Sequence, residues 1–523
     1  MIGDLVHLVR NLRSGIVLAR EGALALVDPV ALPSAGRLAV RLGRLIERPG
    51  AGTGAARLSK ALTRLGPSYV KFGQFLATRP DIVGVAAARD LEHLQDRMAP
   101  FPRAEAVRIV EAALGRPVDE LFLEFSEPVA AASIAQVHRA RIRTEKGEAT
   151  VAVKVVRPGV RERFARDLQA MAAAARFFER FAPEARRLRP TEVVDTLARS
   201  VTIEMDLRLE AAAVSELADN TKDDPGFRVP RPEWDLTARD VLTTEWIDGI
   251  RLNDLARIEA DGHDRVALGR TVIQSFLRHA IRDGYFHADM HPGNLFVDAE
   301  GRLVAVDFGI MGRLGLKERR FLAEILLGFI RRDYRRVAQV HFEAGYVPPH
   351  HSVEDFAQAI RAIGEPIHSR RADEISMARL LTLLFEVTAL FDMATRTELV
   401  MLQKTMVVVE GVARNLDPKL DMWTTSEPVV REWIERNLGP IGRVENAGRG
   451  LWTLAGVVAD LPDLALRAER VLNQVDDVTA RGVQLHPESL AAIKRAEAKG
   501  NRWGIVALWI VAVLLTVILV QLA

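Results

Sequence analysis

Cysteine is absent from this sequence, aromatic residues are few, and neither sign of charge is in clear excess. Without cysteine the chain has no disulfide, no cysteine-ligated zinc or iron–sulfur cluster and no cysteine nucleophile. Its 71 Lys and Arg side chains nearly balance 69 Asp and Glu side chains, so the net charge is only +2. Proteins that coat nucleic acid carry a much larger positive excess, so we expect no nucleic-acid partner.

The rest of the composition indicates a folded protein of several domains. The 523 residues are 49% hydrophobic and 27% charged, which excludes a mainly disordered chain. At roughly 150 residues per domain, the length corresponds to about three domains. Aromatic residues make up only 6%, whereas Ala, Leu, Val and Arg are frequent, and this mixture favours a helix-rich fold.

The C-terminal segment is typical of a membrane anchor. From Gly504 to Leu522 about 19 residues carry no charge, and as a helix they would span roughly 28 Å, close to the apolar thickness of a bilayer. Trp503 precedes this run, four basic residues lie between 494 and 502, and none follows. By the positive-inside rule we predict one C-terminal transmembrane helix, with the body of the protein in the cytoplasm.

The N-terminal segment has a different pattern. Leu5, Leu8, Val9 and Leu12 recur at helical spacing, and charged residues interrupt the apolar runs, so no signal peptide is indicated. We predict an amphipathic helix that packs on the body of the protein. A helix lying on a membrane surface is the weaker alternative.

Between the ends, a small mixed α/β part precedes a larger helical part. Val151–Val156 and Val241–Thr244 have the character of strands, and a long helical section covers Arg161–Leu217. Two short apolar runs, Asn294–Val297 and Leu303–Val306, are separated by DAEGR, which is typical of a β-hairpin. The pattern predicts a helix-rich α+β fold.

One lysine lies within the predicted strand VAVKVV. Because side chains alternate along a strand, Lys154 and Ala152 lie on the face opposite to the valines at 151, 153 and 155. Taken alone, such a lysine is more often one that extends its ammonium group from an edge strand into water.

A second candidate is the segment GYFHADMHPGNLFVD, residues 284–298. His287 and His291 have the i, i+4 spacing of a helical zinc site, but the Pro-Gly pair that follows favours a loop, so we reject that interpretation. Asp289 is followed five positions later by Asn294. This is the spacing of the kinase catalytic loop, where the Asp meets the attacking oxygen and the Asn holds a metal ion.

The third candidate is Asp307-Phe308-Gly309, directly after a predicted buried strand. An Asp in this position is the metal-binding residue of kinases. It follows Asn294 by 13 positions (307 − 294), just enough for the predicted hairpin. Three motifs in this order, each on suitable secondary structure, indicate a kinase-like site for phosphoryl transfer.

Further motifs narrow the assignment. Lys71-Phe72-Gly73-Gln74 lies in LGPSYVKFGQFLATRPDI, the run AAASIAQVH covers residues 130–138, and VTIEMDLRLEAAAVSEL contains Glu204, Asp206 and Glu210. With these motifs the sequence resembles the UbiB family, atypical kinase-like proteins needed for ubiquinone biosynthesis, whose eukaryotic members are called ADCK proteins. The resemblance covers roughly residues 60–420 and implies an atypical protein-kinase-like fold with two lobes.

The resemblance implies a site for ATP or ADP with Mg²⁺. Lys154 would reach the phosphates with Glu210 as its partner, Asp289 would be catalytic, and Asn294 and Asp307 would hold Mg²⁺. The nucleotide would also contact an Ala-rich loop, the residue that roofs the adenine and the hinge between the lobes. These residues are Ala130, Ala131, Ala132, Ser133, Ile134, Ala135, Gln136 and Val137 in the loop, Ala152 as the roof, and Glu245, Trp246 and Ile247 in the hinge.

The Lys-x-Gly-Gln motif is expected to regulate this site. By resemblance, Lys71 is also catalytic: it would reach into the site and pair with Glu204 and Asp206, with Gly73 and Gln74 on the same covering segment. That segment would occupy the place where a protein kinase receives its peptide. Alanines in place of the usual glycines restrict positive φ and close approach to phosphate, and by resemblance they tune nucleotide preference.

The function implied is that of an ATPase in the bacterial inner membrane that supports ubiquinone biosynthesis. It would handle lipid-soluble quinone precursors, or the enzymes that modify them, at the expense of ATP. Anionic membrane lipids and a second copy of the chain are further expected partners. Two alternatives stay open: a small-molecule phosphotransferase like aminoglycoside and choline kinases, and a nucleotide-gated scaffold without turnover.

A peptide kinase is not favoured. A helical pattern begins near Leu316, soon after the Asp-Phe-Gly motif, and no Ala-Pro-Glu sequence closes a long activation segment. The turn Pro348-Pro349-His350-His351 is interpreted as a solvated His pair rather than a metal site.

The predicted domains follow from these patterns. They are an N-terminal amphipathic segment (1–57), a helical extension with the Lys-x-Gly-Gln motif (58–117), a kinase-like N-lobe (118–248), a helical C-lobe (249–420), C-terminal helices without an assigned function (421–502) and the membrane anchor (503–523).

Overall fold

The computed structural model describes most of the first 438 residues. The described ranges are 2–26, 34–48, 57–77, 98–181, 189–368, 391–393 and 397–438, with single positions between 83 and 94 and at 387 and 390. The chain divides into two compact units, Met1–Arg436 and Asn437–Ala523, and the sites below lie in the first. The predicted anchor and most of residues 421–502 lie outside the described residues.

A small β-rich part stands between helices along the chain. The helices are α1 (Ile2–Arg20), α2 (Ser34–Leu45), α3 (Arg57–Leu65), α4 (Pro67–Ala77), α5 (Arg103–Leu114), α6 (Val118–Leu121), α7 (Val160–Phe181), α8 (Pro190–Glu204), α9 (Leu207–Asn220), α10 (Leu255–Ala260), α11 (Arg265–Leu277), α12 (Leu316–Ile330), α13 (Tyr334–Glu343), α14 (Val353–His368), α15 (Thr397–Leu416) and α16 (Met422–Leu438). The strands are β1 (Glu124–Ala131), β2 (Ala135–Thr144), β3 (Gly147–Val156), β4 (Phe227–Arg228), β5 (Val241–Glu245), β6 (Gly249–Arg251), β7 (Tyr285–His287), β8 (Leu295–Asp298), β9 (Leu303–Ala305) and β10 (Met311–Arg313).

The N-terminal helix packs on the body, as the sequence predicts. The Ser14 hydroxyl in α1 lies 2.7 Å from the Tyr69 hydroxyl in α4, and the Asn11 amide donates to the Ala170 carbonyl in α7 at 3.0 Å. Both contacts join residues far apart in sequence, so α1, α4 and α7 form one packed layer.

The N-lobe is built on an antiparallel sheet of order β1-β2-β3-β5. The predicted alternation in β3 is confirmed: the valines at 151, 153 and 155 are at most 1% exposed and pack with α5 in one apolar cluster. Lys154 therefore lies on the opposite face, towards α9. The predicted helical section Arg161–Leu217 is interrupted, because Pro190 begins α8 and the side chain of Asp206 caps α9.

The C-lobe is mainly helical around short strands. The predicted hairpin is confirmed, since β8 pairs antiparallel with β9 and Leu295 lies opposite Ala305. Strand β7 pairs with β10, which brings the segment before Asp289 beside the segment after Asp307. Within the described ranges, no helix combines the length and apolar character that a bilayer crossing requires.

Candidate active site

Three charged residues from three different elements meet at the centre of the cleft. The Lys154 Nζ in β3 donates to both carboxylate oxygens of Glu210 in α9, at 2.8 and 2.9 Å. The same Nζ donates to Oδ1 of Asp307, just after β9, at 2.9 Å. The backbone of Asp307 has a φ of 63°, a left-handed conformation that is uncommon for residues other than glycine and is concentrated at functional sites.

The three groups differ in solvent exposure. The Glu210 side chain is 6% exposed, Lys154 is 21% exposed and Asp307 is 52% exposed. Burial alone would lower the pKa of Lys154, but the carboxylates of Asp307 and Glu210 outweigh it and raise that pKa. The Lys154 charge in turn holds the pKa of Asp307 below its usual range. Lys154 is thus a permanent cation, and the ionised Asp307 faces the cleft.

The catalytic-loop candidates lie next to the strand that precedes Asp307, since the Val306 N–H donates to the Asn294 carbonyl at 2.9 Å. Asp289 and Asn294 follow β7 in a loop, as predicted, so the helical zinc interpretation is excluded. The Asn294 amide donates to the Asp289 backbone carbonyl at 3.1 Å and to its carboxylate at 3.3 Å. Both residues line the same cavity as Lys154 and Asp307.

His287 supports this loop, a role that the sequence does not reveal. Its Nδ1 accepts a hydrogen bond from the Asp289 backbone N–H at 3.0 Å, so its Nε2 carries the proton and donates to the Val306 carbonyl at 3.2 Å. Burial lowers the pKa of His287, which keeps the ring in the required neutral form. One imidazole thus fixes the backbone beside Asp289 to the backbone beside Asp307. The only signal in the sequence is its position two residues before Asp289.

Lys71 contacts Glu204, one of the two residues predicted to pair with it. Lys71 in α4 is buried and forms an ion pair with Glu204 at the end of α8. Asp206 is instead the N-cap of α9: its carboxylate accepts from the Arg208 backbone N–H and pairs with the Arg208 guanidinium at 2.7 Å. This carboxylate satisfies an N–H group at the start of the helix, and the Lys71–Asp206 pair stays a prediction.

The two other residues of this motif have different positions. Gln74 lines the cavity with Lys71. Gly73 does not line it; an added Cβ there would lie 2.3 Å from Leu94 and 2.5 Å from Leu62. Gly73 thus lets α4 pack closely against Leu62 and Leu94, whose side chains would have to shift for any larger residue.

The Ala-rich segment forms the tight turn between β1 and β2. The Ala132 N–H donates to the Ala135 carbonyl at 2.8 Å, and the Arg157 guanidinium donates to the Ala132 carbonyl at 2.7 Å. The small side chains of this hairpin line the cavity together with the predicted roof residue: Ala130, Ala131, Ala132, Ala135, Val137 and Ala152.

Three predicted nucleotide contacts lie elsewhere. Ser133, Ile134 and Gln136 are buried and do not line the cavity. The Gln136 amide exchanges two hydrogen bonds with the Phe101 peptide, at 2.9 and 3.2 Å. A buried amide needs such partners, so Gln136 stabilises the base of the hairpin rather than a ligand.

The predicted hinge residues lie at the end of β5 and directly after it, and they line the cavity. Glu245, Trp246 and Ile247 all contribute to its wall. The Glu245 carboxylate is held by Arg228 Nη1 at 2.9 and 3.0 Å, while Arg228 Nε binds the buried Asp298 at 3.1 Å. Arg228 therefore joins the hinge to the hairpin that follows Asn294, and no motif in the sequence identifies it.

The residues of this cleft fit a magnesium–nucleotide complex. Asp307, Asp289 and Asn294 offer carboxylate and amide oxygens, which are the ligands that Mg²⁺ prefers. The cavity has a volume of about 3290 Å³, more than the roughly 300–1,000 Å³ of a typical small-molecule site. Asn294 and Asp307 would hold the ion, and Lys154 would bind the phosphates.

The chain is similar to known families over most of its length. Residues 93–341 match the model of the ABC1 atypical kinase-like domain, and residues 360–421 match the UbiB helical domain. A probable protein kinase UbiB of Marinobacter nauticus is 42% identical over 78% of this chain and 75% of the relative. That of Azotobacter vinelandii is 40% identical over 80% of this chain and 78% of the relative.

Among solved structures, the complex of Rv3197 with erythromycin from Mycobacterium tuberculosis is similar with a TM-score of 0.45. It is 24% identical, and the match covers 74% of this chain and 96% of that one.

Proposed function

Because this chain belongs to the UbiB family of atypical kinase-like proteins, we propose that it is a magnesium-dependent ATPase that supports ubiquinone biosynthesis. The observation that carries the proposal is the contact of one ammonium group, Lys154 Nζ, with both Glu210 and Asp307. This is the arrangement that phosphoryl transfer needs, since it orients the nucleotide phosphates beside the metal-binding carboxylate.

The chemical step is assigned to water as the acceptor. The water oxygen forms a bond to the γ-phosphorus, the bond from that phosphorus to the bridging oxygen breaks, and ADP leaves with the electron pair. Asp289 accepts the proton of the attacking water. The Asn294 side-chain amide positions the Asp289 carboxylate by donating to its Oδ2 at 3.3 Å. Bound Mg²⁺ would supply neutralisation of the phosphate charge.

The geometry near Asp307 supports a small acceptor rather than a peptide. Only seven positions separate Gly309 from the start of α12 at Leu316 (316 − 309), and β10 occupies part of them. Lys71 and Gln74 of α4 also line the cleft. A peptide substrate would therefore lack the long activation segment on which protein kinases dock it.

The apolar wall of the same cavity supports a lipid-soluble precursor as the second ligand. The lining includes apolar residues of α12 and α15: Leu322, Ile325, Phe329, Met401, Leu402 and Met406. Flexible methionines adapt their shape to irregular apolar ligands. We assign this wall to the hydrophobic part of a phenolic quinone precursor.

Turnover measured with and without such a ligand tests the proposal. Purified full-length protein in anionic liposomes is expected to hydrolyse ATP, and an alkylphenol should stimulate it several-fold. Met406→Gln should abolish the stimulation and keep basal turnover, whereas Met406→Leu, which conserves volume and apolar character, should respond like the wild type. Equal stimulation of all three proteins contradicts the assigned wall, and absence of ATP turnover in every condition contradicts the ATPase.

Membrane anchoring by residues 504–522 is part of the same proposal. The full-length protein should stay in the membrane pellet after a carbonate wash, because transferring an uncharged helix of about 19 residues out of lipid is very unfavourable. A chain ending at Lys499 should move to the supernatant. If the shortened chain stays in the pellet, the anchor lies in another segment.

A further inference from the structure

We infer a second metal site, suited to Zn²⁺, at the surface between α13, α14 and the segment before α15. Its ligands are His350 and His351 in the turn between α13 and α14, and Asp392, which lies 41 positions after His351 (392 − 351). One donor atom from each residue lies within 4.8 Å of the other two. The sequence predicts a solvated His pair here, and only the fold brings Asp392 to it.

The donor spacing is close to that of a bound ion. Asp392 Oδ2 lies 3.4 Å from His351 Nε2 and 3.9 Å from His350 Nε2. Two ligands of a tetrahedral ion with bonds of about 2.0–2.1 Å are about 3.3 Å apart. Small side-chain rotations would therefore complete the coordination by three protein ligands.

A buried nitrogen points to the same conclusion. His351 Nε2 is inaccessible to solvent and has no hydrogen-bond partner among the described residues. Buried polar atoms are normally satisfied, because leaving one without a partner destabilises the fold. A metal ion between His351 and Asp392 would supply the missing partner.

Aromatic packing supports one side of the site, and the other side is exposed to solvent. The His351 ring lies 5.2 Å from the Phe391 ring, which lies 5.0 Å from the buried Phe356 ring. His350 and Asp392 are 64% and 70% exposed, so an ion can enter from solvent and keep a water ligand. Two imidazoles select a borderline ion such as Zn²⁺ over Mg²⁺, which prefers oxygen ligands.

Such an ion would link the turn to the helix that supports the catalytic loop. Asp392 lies five positions before α15 (397 − 392). In α15 the Thr405 hydroxyl donates to the carbonyl of Ala288, the residue before Asp289, at 3.0 Å. The metal would thus add stability to this part of the C-lobe, and the assignment does not depend on the proposed ATPase.

A Zn²⁺ titration tests the site. Full-length protein stripped with EDTA and returned to saturating Mg²⁺ is expected to bind one equivalent of Zn²⁺ in a chromophoric-chelator competition, and its melting temperature should rise with Zn²⁺. His350→Ala and Asp392→Asn remove exposed side chains, so both should fold, and each should weaken Zn²⁺ binding at least ten-fold. His263→Ala, which removes a histidine outside the cluster, should bind as the wild type does.

Two results would overturn the assignment. One is wild-type affinity for Zn²⁺ in both His350→Ala and Asp392→Asn, which would locate the bound ion elsewhere. The other is a wild-type protein that takes up no Zn²⁺ and shows no change in melting temperature. Melting curves recorded without metal show whether either variant is misfolded. If one is, the Zn²⁺ affinity of the other variant tests the site.

Discussion

Asp307→Asn is expected to reduce Mg²⁺-dependent ATP turnover about 100-fold or more while the protein stays folded. The substitution keeps the size of the side chain but removes the negative charge that would hold the cation, and loss of a single electrostatic group at such a site typically has an effect of 10²–10³. Because the Asp307 side chain is 52% exposed, solvent screens its pair with Lys154, and we expect only a modest loss in the free energy of unfolding. Steady-state ATPase rates and thermal melting of the two proteins provide the measurement.

The acid stability of this variant should also differ from that of the wild type. Lys154 holds the pKa of Asp307 below its usual range. In the wild type this contribution to stability is therefore present above the ordinary Asp pKa of about 4 and is lost as the pH falls through lower values. The Asn variant has no such group, so its free energy of unfolding should change less over this acidic range.

Asp195→Asn is the matched control, because Asp195 is an exposed carboxylate on α8 that does not line the cavity. Its turnover should equal that of the wild type. Retention of full Mg²⁺-dependent turnover by Asp307→Asn would show that Asp307 does not hold the metal. If both the wild type and Asp307→Asn were inert yet restored ubiquinone in a deletion strain, the scaffold alternative would be correct.

Glu210→Gln is expected to have the second largest effect. The buried Glu210 carboxylate holds Lys154 Nζ through two hydrogen bonds, and the neutral amide can accept only one of them. Lys154 would then be held mainly by Asp307, so the cation is positioned less firmly for the phosphates. We expect turnover to fall about 10- to 100-fold and KM for ATP to rise.

The stability of this variant should fall as well. Removing one partner of a buried ion pair is destabilising by about 3–5 kcal/mol, but Lys154 keeps Asp307 as a partner and is 21% exposed. We therefore expect a loss of about 1–3 kcal/mol in the free energy of unfolding, measured by urea denaturation. Glu216→Gln is the control: it changes a carboxylate of α9 that is 40% exposed, pairs with Arg313 and does not line the cavity. An unchanged KM and rate in Glu210→Gln would mean that Glu210 does not position Lys154.

Local patterns in the sequence are sufficient for the elements that carry the site. The alternation in β3, the hairpin after Asn294 and the start of α12 at Leu316 all depend on residues close together in the chain, and all are confirmed. The break between α8 and α9 could also be read from Asp206 as an N-cap, but an acidic residue in a long helical pattern is usually taken as a solvated face. Its role as a cap is recognised only from the hydrogen bond that its carboxylate accepts from the Arg208 backbone N–H.

The amino-acid sequence by itself determined which residue types stand on which strand or loop, since chain direction and side-chain alternation follow from short-range sterics. Only the tertiary structure decided which distant charges meet. Lys71 pairs with Glu204, 133 positions away. Arg228 joins Glu245 to Asp298, and Asp392 approaches the His pair. Each of these contacts depends on how separate helices and strands pack. The residues next to a charged residue in the sequence do not indicate which distant residue it will pair with.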